Sequence, residues 1–214
     1  MRVSRCIGCK TFPCVDVNKD AYIVPDISLE PEDISIILIS ESAPASPADY
    51  YYAKGNPSFQ QTTVQAFNDA GLRVSSVQDI VNLGVYLTSA VKCGKTGYGI
   101  KSETVKVCSF ILQEEIALFP DVKAFLLMGD VAIKAFNYIA LRAGDRRVIP
   151  AGSTYKIRGQ KYRFQESRVF PSYLQVGPSF NIEKSKRRMI AQDIAAALKL
   201  VRKVTEASRP RGID

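Results

Sequence analysis

The sequence predicts an α/β fold, a central four-stranded parallel sheet with helices on both faces. Three observations carry this. Four short apolar runs read as buried strands, stretches long enough for helices separate them, and no internal repeat or low-complexity segment breaks the alternation. With 214 residues, 46% of them hydrophobic and 23% charged, the chain can bury a core without disulfide staples. A single domain over 1–208, followed by a mobile tail at 209–214, is the expected organisation.

The first strand is 34–39 (ISIILI), a run rich in β-branched residues. The second is 85–91 (VYLTSAV) and the third 124–128 (AFLLM). The fourth is 168–170 (RVF), which Pro171 is expected to stop. Helices are predicted at 62–70, ended by Gly71, at 103–118, and at 131–141 with Asp130 as N-cap. The clearest helix is 184–204. Ile190, Ile194, Ala197, Leu198 and Val201 share one of its faces, and Arg188, Gln192, Lys199, Arg202 and Lys203 share the other. Residues 154–164 alternate around Gly159 and read as a hairpin, and the first 33 residues look irregular. In a parallel sheet of this kind ligands bind beyond the carboxyl ends of the strands, so the loops opening at Ser40, Lys92, Gly129 and Pro171 are the candidates for a site.

The charge is unbalanced, with 29 Lys and Arg against 21 Asp and Glu, a net +8. Residues 184–214 carry nine basic and three acidic residues and so hold most of that surplus, densest at Lys184, Lys186, Arg187 and Arg188. A basic protein of this kind is suited to a polyanion such as DNA. No apolar run is long enough to span a bilayer, and the start lacks the apolar core of a signal peptide. No membrane partner is therefore expected, and a cytoplasmic, reducing location and a monomeric state are.

In a reducing location five cysteines read better as metal ligands than as disulfides. Cys6 and Cys9 are spaced C-x2-C, Cys14 follows, and Cys93 and Cys108 are spaced C-x14-C. The chain has no histidine, so thiolates are its only soft ligands. Four could hold zinc or an iron–sulfur cluster, and the spacing does not separate the two. Cys93 and Cys108 could equally be core residues.

The strand-end loops carry the remaining candidates. Ser40-Glu41-Ser42-Ala43-Pro44 puts a carboxylate where it can hold and polarise an attacking water, or merely cap a helix. Gly55-Asn56-Pro57-Ser58-Phe59 ends in an aromatic that could stack an extruded base, or simply join the core. Lys92 through Gly99 (KCGKTGYG) is a glycine-rich loop with two lysines and Tyr98, suited to phosphate contact but without P-loop spacing. Phe170-Pro171-Ser172-Tyr173-Leu174 offers an apolar side chain able to wedge into a base stack.

In this order the motifs resemble those of the family 4 (iron–sulfur) uracil-DNA glycosylases. The family's opening C-x2-C corresponds to Cys6 and Cys9, and its GEAPG loop to Ser40–Pro44. Its G-x-P-F turn corresponds to Gly55–Phe59, and its T-N-x-V-K-C strand to Thr88–Cys93. A second cysteine heading a helix is Cys108, the strand PKVIVALG is matched by PDVKAFLLMG (120–129), and the H-P-S loop by Phe170–Ser172. The resemblance spans nearly the whole chain. It implies a uracil-DNA glycosylase-like fold and a 4Fe-4S cluster on Cys6, Cys9, Cys93 and Cys108, with zinc as the alternative and Cys14 as a substitute for Cys9. It further implies Glu41 for the water, Phe59 and Ser89 for the base, and Leu174 as the wedge. Lys95, Ser172, Lys186, Arg187 and Arg188 are expected to contact DNA.

Two positions depart from the pattern. The family's asparagine, which reads the uracil edge, is Ser89, whose hydroxyl is a shorter and weaker discriminator. Its histidine, which steadies the departing base, is Phe170, which offers no donor. The leading expectation is hydrolysis of the N-glycosidic bond of uracil or another deaminated base in base-excision repair. The alternatives are a catalytically weak or inactive DNA-binding relative, and a metal protein without DNA.

Overall fold

In the run Ile36–Ile39 every side chain is apolar, which suits a strand covered on both faces. Ile37 and Ile39 point into one core layer, and Ile36 and Leu38 into the other. The computed structural model describes residues 1–177 and 179–207. It has strands β1 (Val17–Asn18), β2 (Ile36–Ala43), β3 (Val85–Lys95), β4 (Ala124–Met128), β5 (Tyr162–Phe164) and β6 (Ser167–Ser172). Its α-helices are α1 (Ser58–Asp69), α2 (Val77–Asn82), α3 (Ser102–Ile116), α4 (Asp130–Arg142), α5 (Thr154–Ile157), α6 (Ser179–Ile182) and α7 (Lys184–Ala207).

The strands form one sheet in the order β1-β3-β2-β4-β6-β5. The central four, β3, β2, β4 and β6, are mutually parallel, as predicted. Two short antiparallel edge strands extend the expected four to six: β1 beside β3 and β5 beside β6. Helices α3 and α4 cover one face, and α1, α2 and α7 the other. On α7, Ile190, Ile194, Ala197 and Leu198 are buried, as the 3.6-residue period requires.

Several local expectations are corrected. The hairpin does not turn at Gly159. Residues 154–157 form one helical turn, and β5 meets β6 through Gln165 and Glu166, with Gln165 in the left-handed region at φ +52°. Strand β6 runs through Pro171 to Ser172. There it pairs with β4 alone, because β5 ends opposite Ser167–Val169, so the missing proline N–H breaks no ladder. The N-cap of α4 is Gly129, and Asp130 lies in its first turn. Helix α2 was not predicted; Ser76 and Asp79 form a reciprocal capping box at its start. The tail at 209–214 lies outside the described residues.

The carboxyl ends of β2, β3, β4 and β6 bring Glu41, Lys95, Gly129 and Ser172 to one edge of the molecule. Among the described residues no helix is long and apolar enough to cross a membrane.

Candidate active site

Glu41 stands where β2 leaves the sheet, with its side chain 16% exposed. Lys95, at the end of β3, places Nζ 3.7 Å from its Oε2. The backbone N–H of Val131, in the first turn of α4, donates to its Oε1 at 3.4 Å. The carboxylate therefore sits between the Lys95 ammonium and the first turn of α4. It can approach so closely because residue 129 is glycine. A Cβ there would lie 2.6 Å from Glu41 Oε1, and the backbone at φ +97° is one that favours glycine.

Two cavities meet at Glu41. One, of about 760 Å³, is lined by Glu41, Phe59, Lys95, Tyr98 and Leu174 among others. The second, of about 250 Å³, is lined by Glu41, Gly129, Tyr173, Leu174, Lys186 and Arg187 among others. Four strand-end loops and α7 thus converge on one carboxylate. Phe59 is half-buried, and its inner side packs on Tyr51 with ring centroids 5.3 Å apart. Lys186 is bound to Glu183 at 2.6 Å, and Arg187 to Asp69. Arg188 is exposed.

Two predicted site residues, Ser172 and Ser89, are fully buried and do not line these cavities. Ser172 is fully buried, and its Oγ donates to Asp193 at 2.6 Å. Asp193 is also held by Arg158, so Ser172 ties the end of β6 to α7 rather than offering its hydroxyl to the surface. Ser89 is fully buried too, and its Oγ has no hydrogen-bond partner among the described residues. The Tyr50 hydroxyl comes against it, also without completing a hydrogen bond. Burial, then the Glu115 carboxylate, push the Tyr50 phenol well above its usual range, and the neighbouring Ser89 hydroxyl partly opposes them. The Tyr50 ring also lies 6.4 Å from that of Phe59, so it neighbours both Phe59 and Ser89. Phe170 is half-buried against the α1 and α7 core, with the Arg168 guanidinium 4.9 Å from its ring centre.

Behind Ser89 lies a charge pair that sequence reading missed. Lys92 and Glu115 are both fully buried. Lys92 Nζ donates to Glu115 Oε2 at 2.5 Å, Thr88 Oγ1 at 2.8 Å and the Ser89 carbonyl at 2.6 Å, while Tyr86 donates to Glu115 Oε1 at 2.8 Å. Both charges are paired and hydrogen-bonded, as burial demands.

The cysteines divide unevenly. Cys93 and Cys108 are buried in the α3 and α4 core, and Cys9 and Cys14 pack against it. Burial pushes the Cys93 thiol up to about 12, with Cys108, Cys14 and Cys9 adding to it, and the Cys108 thiol up to about 11. Cys6 instead follows the 3₁₀ turn Val3–Arg5, is exposed, and directs its Sγ to the Arg2 carbonyl at 3.5 Å. Two backbone amides donate to sulfur, Phe12 to Cys9 at 3.3 Å and Lys92 to Cys108 at 3.2 Å. Among the described residues no group of three or more Cys, Asp or Glu is arranged to hold a metal ion.

The profile of the Uracil DNA glycosylase superfamily matches residues 30–193, most of the chain. The chain belongs to the uracil DNA glycosylase superfamily. No curated protein matches it. The superfamily match takes in Glu41, Phe59, Ser89, Lys95, Cys93, Cys108 and Leu174 and leaves Cys6, Cys9 and Cys14 outside.

Proposed function

We propose that this chain is a DNA glycosylase of base-excision repair, which hydrolyses the N-glycosidic bond of uracil or another deaminated base after the nucleotide is flipped out of the helix. The observation that carries this reading is Glu41 on the shared wall of two cavities, held by Lys95 and the Val131 amide. The reaction needs water delivered to the sugar carbon as the base departs. Glu41 orients that water and accepts its proton, while the exposed side of Phe59 stacks on the extruded base. The leaving base takes the bonding electron pair. Lys95 is the cation nearest the carboxylate and supplies positive charge where the motif histidine is absent. Leu174, between the cavities, fills the space the nucleotide leaves, and Lys186, Arg187 and Arg188 face the phosphates.

A second reading is favoured by the burial of Ser89: a relative that binds DNA but excises slowly or not at all. Its support is that Ser89 is fully buried beside Tyr50 and that Phe170 offers no proton.

For the cofactor we propose a 4Fe-4S cluster on Cys9, Cys14, Cys93 and Cys108, with zinc as the alternative. The support is the chemistry of the donors alone: all four are thiols, two are buried, and two accept backbone N–H bonds of the kind that tune metal-bound sulfur. When bound, such a cluster supplies the charge that keeps these thiols ionised and ties the N-terminal segment to β3 and α3.

The test is a panel of oligonucleotides carrying uracil, hypoxanthine or xanthine, treated with wild type and Glu41→Gln. Alkali-sensitive breaks at one base, lost in the variant, support a glycosylase. Salt-dependent binding with no product from any of them moves the assignment to the second reading.

A further inference from the structure

Tyr98 is fully exposed, with a relative accessibility of 105%, yet it lines the same cavity as Glu41 and Leu174. It lies between Gly97 and Gly99 at the tip of the loop that joins β3 to α3. Core packing gives no reason for an aromatic there. The loop around it is held at both ends by one residue. Thr96 Oγ1 donates to the Asp16 carbonyl at 3.0 Å, the Lys101 backbone N–H donates to Asp16 Oδ2 at 2.6 Å, and Thr104 donates to Asp16 Oδ1. Asp16 is itself anchored by the neighbouring strand β1, which pairs with β3 at Val17 and Lys95. The base of the loop is therefore fixed while its tip projects an unpacked ring toward the carboxylate.

We propose that Tyr98 is a second stacking element, separate from Leu174, which lies against a nucleobase of the bound strand next to the extruded one. The inference rests on the DNA-glycosylase reading and adds to it a contact from the loop after β3. The cavity wall is mostly apolar, its rim carries Lys95, and Lys101 is exposed at the far end of the loop. A flat aromatic beside cations suits a base with its phosphate. Because two glycines flank the ring and Asp16 pins the loop, the ring can turn at its tip while the loop stays in place.

The chain has no tryptophan, so Tyr98→Trp introduces a single fluorescent reporter. Binding of a uracil-containing oligonucleotide at low salt would be measured for wild type, Tyr98→Ala, Tyr98→Phe and Tyr98→Trp. We expect Tyr98→Ala to bind roughly ten-fold more weakly, the loss of one base–aromatic stack. Tyr98→Phe should bind as wild type, and the tryptophan emission should be quenched as DNA saturates the protein. Unchanged affinity in Tyr98→Ala with unchanged emission in Tyr98→Trp would overturn the proposal. Equal weakening in Tyr98→Phe and Tyr98→Ala would also overturn it, because the contact would then belong to the hydroxyl. No DNA binding by the wild type is a separate result, and it overturns the glycosylase reading together with this one.

Discussion

Gly129 and Glu41 compete for one space: a Cβ on residue 129 would come within 2.6 to 2.9 Å of three atoms of the Glu41 carboxylate arm. The glycine at the end of β4 thus sets how closely the carboxylate can lie to the first turn of α4. In Gly129→Ala the side chain of Glu41 must move and the residue must hold φ +97° with a Cβ. We expect a stability loss of about 1–2 kcal/mol from the left-handed backbone. Activity should fall further, by about a hundred-fold, because a misplacement of about 1 Å in a reacting group costs that much. Urea denaturation and single-turnover excision, run on the same variant, separate the two. An active Gly129→Ala enzyme would mean that the carboxylate does not need this position.

The thiols lead to a second prediction. Cys14, like Cys9, packs against the core that holds Cys93 and Cys108, whereas Cys6 is exposed after the 3₁₀ turn Val3–Arg5. In protein purified anaerobically, Cys14→Ser should lose the visible absorption near 400 nm together with its bound iron, and Cys6→Ser should keep both. The opposite result would restore the C-x2-C pair as ligands. In metal-free protein, Cys6 should react with iodoacetamide at pH 8 well before Cys93 and Cys108, whose thiols are pushed up to about 12 and about 11 by burial.

How far the sequence could be read follows from these residues. The parallel core was legible because ISIILI and AFLLM are apolar throughout, the pattern of strands buried on both faces. Strands β1 and β5, of two and three residues, are too short to show any period. The hairpin was misplaced because Gly159 offered the obvious turn, while the real one uses Gln165, a residue rarely found at positive φ. Glu41, Phe59 and Leu174 could be singled out from their loops, since strand ends carry sites in such sheets, and all three line one cavity. The Asp16 clamp, the Lys92 and Glu115 pair and the contact of Tyr50 with Ser89 could not. Each depends on contacts between residues from 23 to 88 positions apart, and no local pattern encodes these.

The contact between α1 and α7 is sensitive to acid. Asp69 lies near the end of α1, and its carboxyl is held below the ordinary 3.8, chiefly by the hydrogen bond from Arg187. The folded protein therefore binds this proton less readily than the unfolded chain. The stability it contributes is present above about pH 4 and is lost as pH falls through the lowered value. Because the pair is only partly buried, its worth is about 1 kcal/mol. Asp69→Asn should be less stable than wild type by that amount at pH 7, and the difference should shrink toward pH 2. A difference that stays constant between the two pH values would assign the effect to packing rather than charge.

Introducing at position 89 the asparagine that the resemblance to the family 4 enzymes implies should not by itself confer uracil excision. Ser89 is fully buried, and the Tyr50 hydroxyl lies against its Oγ. Two further heavy atoms have nowhere to go, so Ser89→Asn should cost about 1–3 kcal/mol by overpacking. Removing the Tyr50 ring would make the room, at a further cost of about 3–5 kcal/mol typical of a buried aromatic cut to alanine. The expected order of thermal stability is wild type, Ser89→Asn, then the double variant Tyr50→Ala with Ser89→Asn. Uracil excision, measured at a temperature where all three are folded, should rise only in the double variant, since it alone offers both a donor–acceptor edge and the space to hold it. If Ser89→Asn alone gained uracil excision at an unchanged melting temperature, the room beside Tyr50 would have to exist already in the wild type.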